Sequence, residues 1–424
     1  MNGTNSNVEF NFSFAPGVTE EQALGFEIAG DIWSQHLADS YRGKDLEINI
    51  HVEASDDLLA DNIVGGAFPA IANNVKYSQI YDAIQNDVTT DLDQIAADNL
   101  LDKNKIDALV GGEIIEQNFQ THVTTANLKA LGLLKGNSKK LDGYIVVNNF
   151  EGQLWNYDYL GTPAEGTLDF LSMAQHEIGH VLGFISGARH TEETVGNKIS
   201  NMTTMDLFRY STASAELGIN DLTYGQAAFF SVDGRESTIE FTTGEDHQVG
   251  HLVESDNRAL MSPTIALAER WSITGDDLQV LDAIGWDVVN PGVIDMAEIY
   301  EDAQAEVATM RTGDLSRKVA RHILSSDAYN WGRGATRASG TPYFWGRGAT
   351  RASGTPYFQE GYFIELELSL TAANTSEETK NDNSEFTSDT IEDSITTAND
   401  LLEEYWEGNS WWDSLRGRRY SRSN

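Results

Sequence analysis

The chain has 424 residues, which is enough for a large buried core and for two or three domains. Acidic residues outnumber basic ones by 66 to 28, and the formal net charge of −38 argues against sequence-independent binding to nucleic acid or to anionic membranes. Cysteine is absent, which excludes disulfides, cysteine nucleophiles and thiolate metal ligands.

The first 150 residues predict alternating strands and helices. The predicted elements are, in chain order, a strand at 9–15, a helix from Thr19 to about His36, a strand at 46–52, helices near 77–88 and 125–134, and a strand at 144–147. The first strand is indicated by phenylalanines that alternate with polar residues. The first helix is indicated by Thr19 and Gln22, which have the spacing of a capping box.

The strand at 144–147 shortly precedes the most informative motif of the chain. Two positions in a sheet fit it equally well from sequence alone. It is either an exposed edge, where an extended peptide could add main-chain hydrogen bonds, or an ordinary interior strand.

The run His176-Glu177-Ile178-Gly179-His180 predicts a metal site on a helix. Residues four apart share a helical face, so the two imidazoles can reach one ion while Glu177 can deprotonate a water beside it. We expect Thr167 to cap this helix and Gly183 to end it. An apolar stripe opposite the histidines indicates the buried face: Leu171, Ala174, Ile178 and Leu182.

A catalytic zinc ion needs a third protein ligand and one open position. The short-spacer pattern HExxHxxGxxH would place that ligand at Ser186, and serine is a poor zinc ligand. The histidine candidates are therefore His190, His247 and His251, and the carboxylate candidates are Asp206 and Asp246.

Further along, Gly250-His251-Leu252 is followed by Ala259-Leu260-Met261-Ser262-Pro263. With these two segments the chain resembles a metzincin zinc metalloprotease, and among metzincins it is most similar to the leishmanolysin-like branch. The lack of cysteine favours a bacterial secreted relative. The resemblance implies that His176, His180 and His251 bind one Zn²⁺ ion, that Glu177 is the general base, and that Met261 forms the methionine turn.

The resemblance also implies an α+β catalytic domain over residues 1–290, with a twisted mixed sheet, an active-site helix and an irregular lower subdomain. Within it, residues 185–250 are interpreted as an insertion with a strand pair around 228–243. The run from Ser272 to Trp286 predicts a closing helix capped by Thr274 and stopped by Gly285.

Location and partners follow from the same resemblance, which implies an extracellular or cell-surface enzyme that acts on protein or peptide substrates. The first residues contain no signal-peptide pattern, and no run of about 20 apolar residues predicts a transmembrane helix. Calcium is compatible with the acidic composition, although no calcium-binding motif is present. Oligomeric state cannot be read from the chain.

Asn290-Pro291-Gly292 predicts a domain boundary. Residues 291–370 are interpreted as a helical extension, with helices near 294–310 and 314–327 followed by two identical copies of WGRGATRASGTPYF. Residues 371–424 are predicted to be an acidic, partly disordered tail with an aromatic and basic end.

The predicted activity is hydrolysis of peptide bonds by a metal-activated water, with Glu177 as general base. Two alternatives remain. One is an idle protease-like scaffold that serves as a surface or polymer-binding protein, which the aromatic C-terminal region favours. The other is a zinc hydrolase that acts on something other than protein.

Overall fold

The structure is a computed structural model, and it describes most of the first 311 residues and two short strands beyond them. The described residues are 7–15, 17–55, 59, 63–118, 120–150, 154–188, 202–235, 237–245, 247–254, 258–311, 357–358 and 362–366. Within them the fold is α+β.

Helices and strands are interspersed along the chain, and several strands follow one another directly. The strands are β1 (Val8–Phe14), β2 (Leu46–Ser55), β3 (Ile63–Lys76), β4 (Ile106–Val110), β5 (Glu113–Asn118), β6 (Gln120–Thr124), β7 (Gly143–Asn148), β8 (Trp155–Asn156), β9 (Leu168–Asp169), β10 (Arg209–Tyr210), β11 (Asn220–Asp221), β12 (Ala228–Phe230), β13 (Glu240–Phe241), β14 (Thr264–Ile265), β15 (Tyr357–Phe358) and β16 (Tyr362–Leu366). The helices are α1 (Glu20–His36), α2 (Tyr77–Asn86), α3 (Asp91–Asn99), α4 (Thr125–Ala130), α5 (Phe170–Leu182), α6 (Thr212–Leu217), α7 (Gly275–Ala283) and α8 (Met296–Arg311).

The main sheet is twisted and mixed, with the strand order β1-β2-β7-β3-β16-β14. The first three strands run parallel to one another, β3 runs antiparallel to both of its neighbours, and β16 runs parallel to β14. The far half of β3 pairs with β6 and β15 instead. β3 is therefore the strand that joins the parallel half of the sheet to the side that carries β14.

Period-two patterning explains the first strands of this sheet. In β2, Leu46, Ile48, Ile50 and Val52 are fully buried, as expected for one face of a strand packed on a core. Helices α1 and α5 pack against each other and cover that face, α1 near β1 and α5 near β3. The Trp33 indole of α1 donates a 2.9 Å hydrogen bond to the carbonyl of Gln175 in α5, which fixes one helix against the other.

Several predicted elements are confirmed with small shifts of their ends. Thr19 and Gln22 form the capping box of α1, and Thr274 caps α7. The strand pair expected around 228–243 is present as β12 and β13, which pair antiparallel to each other.

Of the two positions left open for the strand at 144–147, the structure shows the interior one and not the exposed edge. Strand β7 lies between β2 and β3 and pairs with both, so it is an interior strand. Its neighbour β3 was not predicted, because Gly65, Gly66 and Pro69 interrupt the alternation that marks a strand. This missed strand continues the sheet towards β16 and β14.

Two segments beyond residue 290 pack on this same sheet-and-helix body. Helix α8, predicted near 294–310, packs on α1. Strands β15 and β16 follow one another along β3, from Tyr357 opposite Ile71 to Glu365 opposite Ile63. The predicted helix at 314–327, the first copy of the repeat and the tail at 371–424 lie outside the described residues, and so does the second copy except for its last two residues.

None of the helices in the described part of the chain is both long enough and apolar enough to cross a membrane.

Candidate metal centre

Helix α5 carries the histidine pair, and its start differs from the prediction. Asp169 is the N-cap, because its carboxylate accepts 3.0 and 2.7 Å hydrogen bonds from the backbone N and the hydroxyl of Ser172. The predicted cap, Thr167, instead donates to the carbonyl of Ala164. Arg270 contacts the Asp169 carboxylate at 2.7 Å, so the cap is also an ion pair that anchors the start of the helix.

The end of α5 is as predicted. The helix stops at Leu182, and Gly183 follows with φ of +130°, a conformation that side chains rarely adopt. A Cβ at Gly183 would also lie 2.9 Å from Cδ1 of Ile284. The backbone N of Phe184 then donates to the carbonyl of Gly179, which closes the last turn.

The structure brings three histidines together from two distant parts of the chain. Nε2 of His180 lies 3.0 Å from Nε2 of His176 and 3.2 Å from Nε2 of His251, which is 71 residues further along. All three side chains are fully buried. This group is the one cluster among the described residues whose ligand atoms are close enough to share a metal ion.

Each of the three imidazoles is oriented by a backbone carbonyl. Nδ1 of His176 lies 2.8 Å from the carbonyl oxygen of Leu260, and Nδ1 of His180 lies 2.6 Å from that of Phe184. Nδ1 of His251 lies 2.9 Å from the carbonyl of Gln248. A carbonyl can only accept, so Nδ1 carries the hydrogen in every ring and the three Nε2 atoms face one another with lone pairs. A cation between them is the species that this arrangement favours.

Burial favours the neutral form of both histidines of α5. Burial lowers the pKa of His176 to about 4. Burial, followed by the nearby His176 and His251, lowers the pKa of His180 well below its ordinary value. Neutral imidazole is the form that binds metals, so the site favours coordination over protonation.

Of the other candidate ligands, the two that the structure describes, Asp206 and His247, do not join this cluster. Asp206 accepts hydrogen bonds from the hydroxyl of Ser186 at 2.6 Å and the backbone N of Gly187 at 2.8 Å, so it fixes the loop after α5. His247 is described and lies outside the histidine group. His190 and Asp246 lie outside the described residues.

Glu177 is fully buried beside the cluster and faces β3. A Cβ built at Gly65 of β3 would lie 3.0 Å from Oε1 of Glu177 and 2.8 Å from Sδ of Met173. Glycine at position 65 therefore lets the backbone of β3 pass close to this carboxylate.

Met261 packs on the helix between the two histidines of α5. A Cβ at Gly179 would overlap Sδ of Met261, and Met261 is fully buried. The glycine inside the motif is therefore needed for this close approach, which places the turn around Met261 against α5 between His176 and His180.

Asp277 holds that turn, and its role was not predicted from the sequence. Its buried carboxylate accepts hydrogen bonds from the backbone N of Leu260 at 2.9 Å and of Met261 at 3.0 Å. The same carboxylate accepts from the backbone N and the hydroxyl of Thr274, both at 2.8 Å. Burial raises the pKa of Asp277, and these hydrogen bonds oppose the shift. The available signal was the capping-box spacing of Thr274 and Asp277.

Comparison of the chain with protein-family models, with curated proteins and with solved structures found no match.

Proposed function

We propose that the chain is a zinc-dependent endopeptidase of the metzincin type. The observation that carries the proposal is the convergence of three fully buried imidazoles on one point, with Glu177 next to the first of them on the same helix. The order of His176, Glu177, His180, His251 and Met261 along the chain supports the same conclusion.

Zinc is the ion that this donor set fits best. The cluster offers three imidazole nitrogens, and imidazole suits zinc, copper, iron and nickel more than calcium or magnesium. Three protein ligands leave one position open in a tetrahedral site, as in catalytic rather than structural zinc sites. His176, His180 and His251 would hold the ion through Nε2.

The metal and one carboxylate would have separate roles in peptide-bond hydrolysis. When bound, zinc would make water acidic near pH 7 and polarise the scissile carbonyl. Glu177 would accept a proton from the attacking water on a carboxylate oxygen and pass that proton to the leaving amine. The three carbonyls that receive Nδ1–H keep the imidazoles oriented while this occurs.

A Glu177→Ala variant separates catalysis from metal binding. We expect it to retain about one equivalent of zinc and to lose about 10²–10⁴-fold in the rate of casein cleavage, the usual contribution of general acid–base catalysis. Glu165→Ala is the matched control, because Glu165 is exposed just before the same helix.

Zinc content is measured by plasma mass spectrometry. Casein cleavage is measured with and without a strong chelator. Wild-type protein that holds zinc but cleaves no protein would favour the idle scaffold, and cleavage confined to non-peptide substrates would favour the other hydrolase. Unchanged proteolysis in Glu177→Ala at full zinc occupancy would refute the assigned role.

A further inference from the structure

A strand from the C-terminal part of the chain is inserted into the sheet beside the metal centre. Residues Tyr362–Leu366 form β16, which pairs antiparallel with β3 on one side and parallel with β14 on the other. In this register Ile364 lies opposite Gly65, and Glu365 lies opposite Thr264. Both edges of β16 are therefore occupied by strands that come from the first 290 residues.

Both of those strands are part of the candidate site. Gly65 of β3 is the residue whose backbone passes next to the Glu177 carboxylate. Strand β14 begins at Thr264, three residues after Met261, which packs on α5 between the two histidines. Strand β16 also packs along α5 itself. The slot between β3 and β14 thus runs past the catalytic carboxylate, and it is one strand wide.

Such a slot fits an extended peptide. Main-chain groups of β3 and β14 can pair with any backbone in extended conformation, which gives affinity without requiring particular side chains. Gly65 and Gly66, which face β16 in the ladder, leave β3 without side chains at these positions. A peptide substrate and residues 362–366 cannot occupy the slot together, because each would use the same edge of β3.

We propose that residues 362–366 are a built-in autoinhibitory strand that blocks the peptide-binding slot of the enzyme. The proposal rests on the endopeptidase function for its consequence on activity. The tether is residues 312–356, and a connection of this length costs little more to close than a shorter one. Because the strand is part of the same chain, it competes with a peptide at a high effective concentration. Activity then depends on the fraction of molecules in which the slot is open.

A proline at position 364 tests this directly in the full-length chain. Proline has no N–H and its ring disfavours an interior strand, so Ile364→Pro should disrupt β16 whichever neighbour receives that N–H. Thr371→Pro is the control, since it introduces the same residue beyond the strand. We expect Ile364→Pro to raise kcat/KM for a fluorogenic casein-derived peptide by about tenfold or more, which is about 1.4 kcal/mol of released inhibition.

A synthetic peptide with the sequence of residues 360–368 supplies the second test. Added in trans, it should inhibit the Ile364→Pro variant competitively and inhibit the wild type much less, because there the slot is already filled. Residues 362–366 should remain intact on incubation of the wild type. Cleavage inside this strand would identify it as a substrate and overturn the inhibitory role.

Hydrogen exchange tests the blocked slot without any need for activity. The β3 amides at 63–67 that face β16 should exchange faster in Ile364→Pro and not in Thr371→Pro. Faster exchange and binding of the synthetic peptide, in a protein that cleaves nothing, would support the blocked slot and refute the endopeptidase function. Unchanged exchange in Ile364→Pro would overturn the autoinhibition. So would faster exchange of the β3 amides without any rise in kcat/KM, in an enzyme that does cleave the peptide.

Discussion

The sharpest consequence of the structure concerns Asp277, a residue that touches none of the three histidines. Its Oδ2 accepts from the backbone N of Leu260 and from both the backbone N and the hydroxyl of Thr274, and its Oδ1 accepts from the backbone N of Met261. The Leu260 carbonyl in turn receives Nδ1–H of His176. The substitution Asp277→Asn should therefore weaken the fold and the metal site together.

The size of the effect follows from the four hydrogen bonds. In its better orientation the asparagine oxygen replaces Oδ2 and keeps three donors, while its NH₂ group faces the N–H of Met261. One buried unsatisfied N–H costs about 1–3 kcal/mol, and loss of the charge on the other three bonds adds about 1 kcal/mol. A total near 3 kcal/mol corresponds to a Tm lower by about 4–5 °C for a folded unit of this size, because the entropy of unfolding grows with chain length. Metal affinity should fall about 10–100-fold, as for other partners of metal ligands.

Asp276→Asn is the matched control, because it makes the same change at the neighbouring residue in the first turn of α7. Its cost should stay below about 1 kcal/mol, the usual interaction of one acidic residue with a helix N-terminus. Tm is measured by calorimetry on the metal-free proteins, and metal affinity by competition with a chelating dye. Equal Tm and equal metal affinity in the two variants would refute the role assigned to Asp277.

Two further predictions concern the third ligand and the acidic side chains near α7. His251→Ala should lower metal affinity by on the order of a hundredfold or more, and His247→Ala should leave it unchanged, as judged by metal content after dialysis. Burial, followed by Asp287 and other carboxylates, raises the pKa of Asp87 to about 7, so the stability linked to its protonation is complete below about pH 4 and is lost as the pH rises through 7. The free energy of unfolding of Asp87→Asn, measured in urea, should therefore match that of the wild type near pH 4 and exceed it at pH 8 by about 1–2 kcal/mol, a figure reduced for solvent screening. Equal stability of the two proteins at pH 8 would contradict the raised pKa of Asp87.

Local patterns predicted the elements that depend on near neighbours in sequence. The apolar alternation of β2 describes one buried face, the phenylalanine alternation of β1 describes a partly buried one, and both strands are present. The capping box of α1 and the Thr274 cap of α7 were also correct, because the donors and acceptors of such caps lie three residues apart. For α5 the predicted cap was Thr167, whereas the structure shows Asp169 in that position, and both residue types favour it.

Strand β3 and its partners could not be predicted in this way. Its sequence contains Gly65, Gly66 and Pro69, which are unfavourable for a strand unless something else passes close to the backbone. The groups that lie close to the backbone of β3 are the Glu177 carboxylate of α5 and strand β16, which comes from far along the chain. The interior position of β7 depends on β3, so the sequence could not separate it from an edge position.

The sequence by itself determined the pairing of His176 with His180, since four residues on a helix place two side chains on one face whatever surrounds them. It also determined that no thiol takes part. Only the tertiary structure decided between His251, His247 and Asp206, because His251 lies 71 residues beyond His180. Its loop is placed by backbone hydrogen bonds between Thr242 and His251 and between Leu252 and Met261, which no local spacing encodes. Helical periodicity is a property of the backbone, whereas the meeting of distant segments depends on which of them bury and pair together.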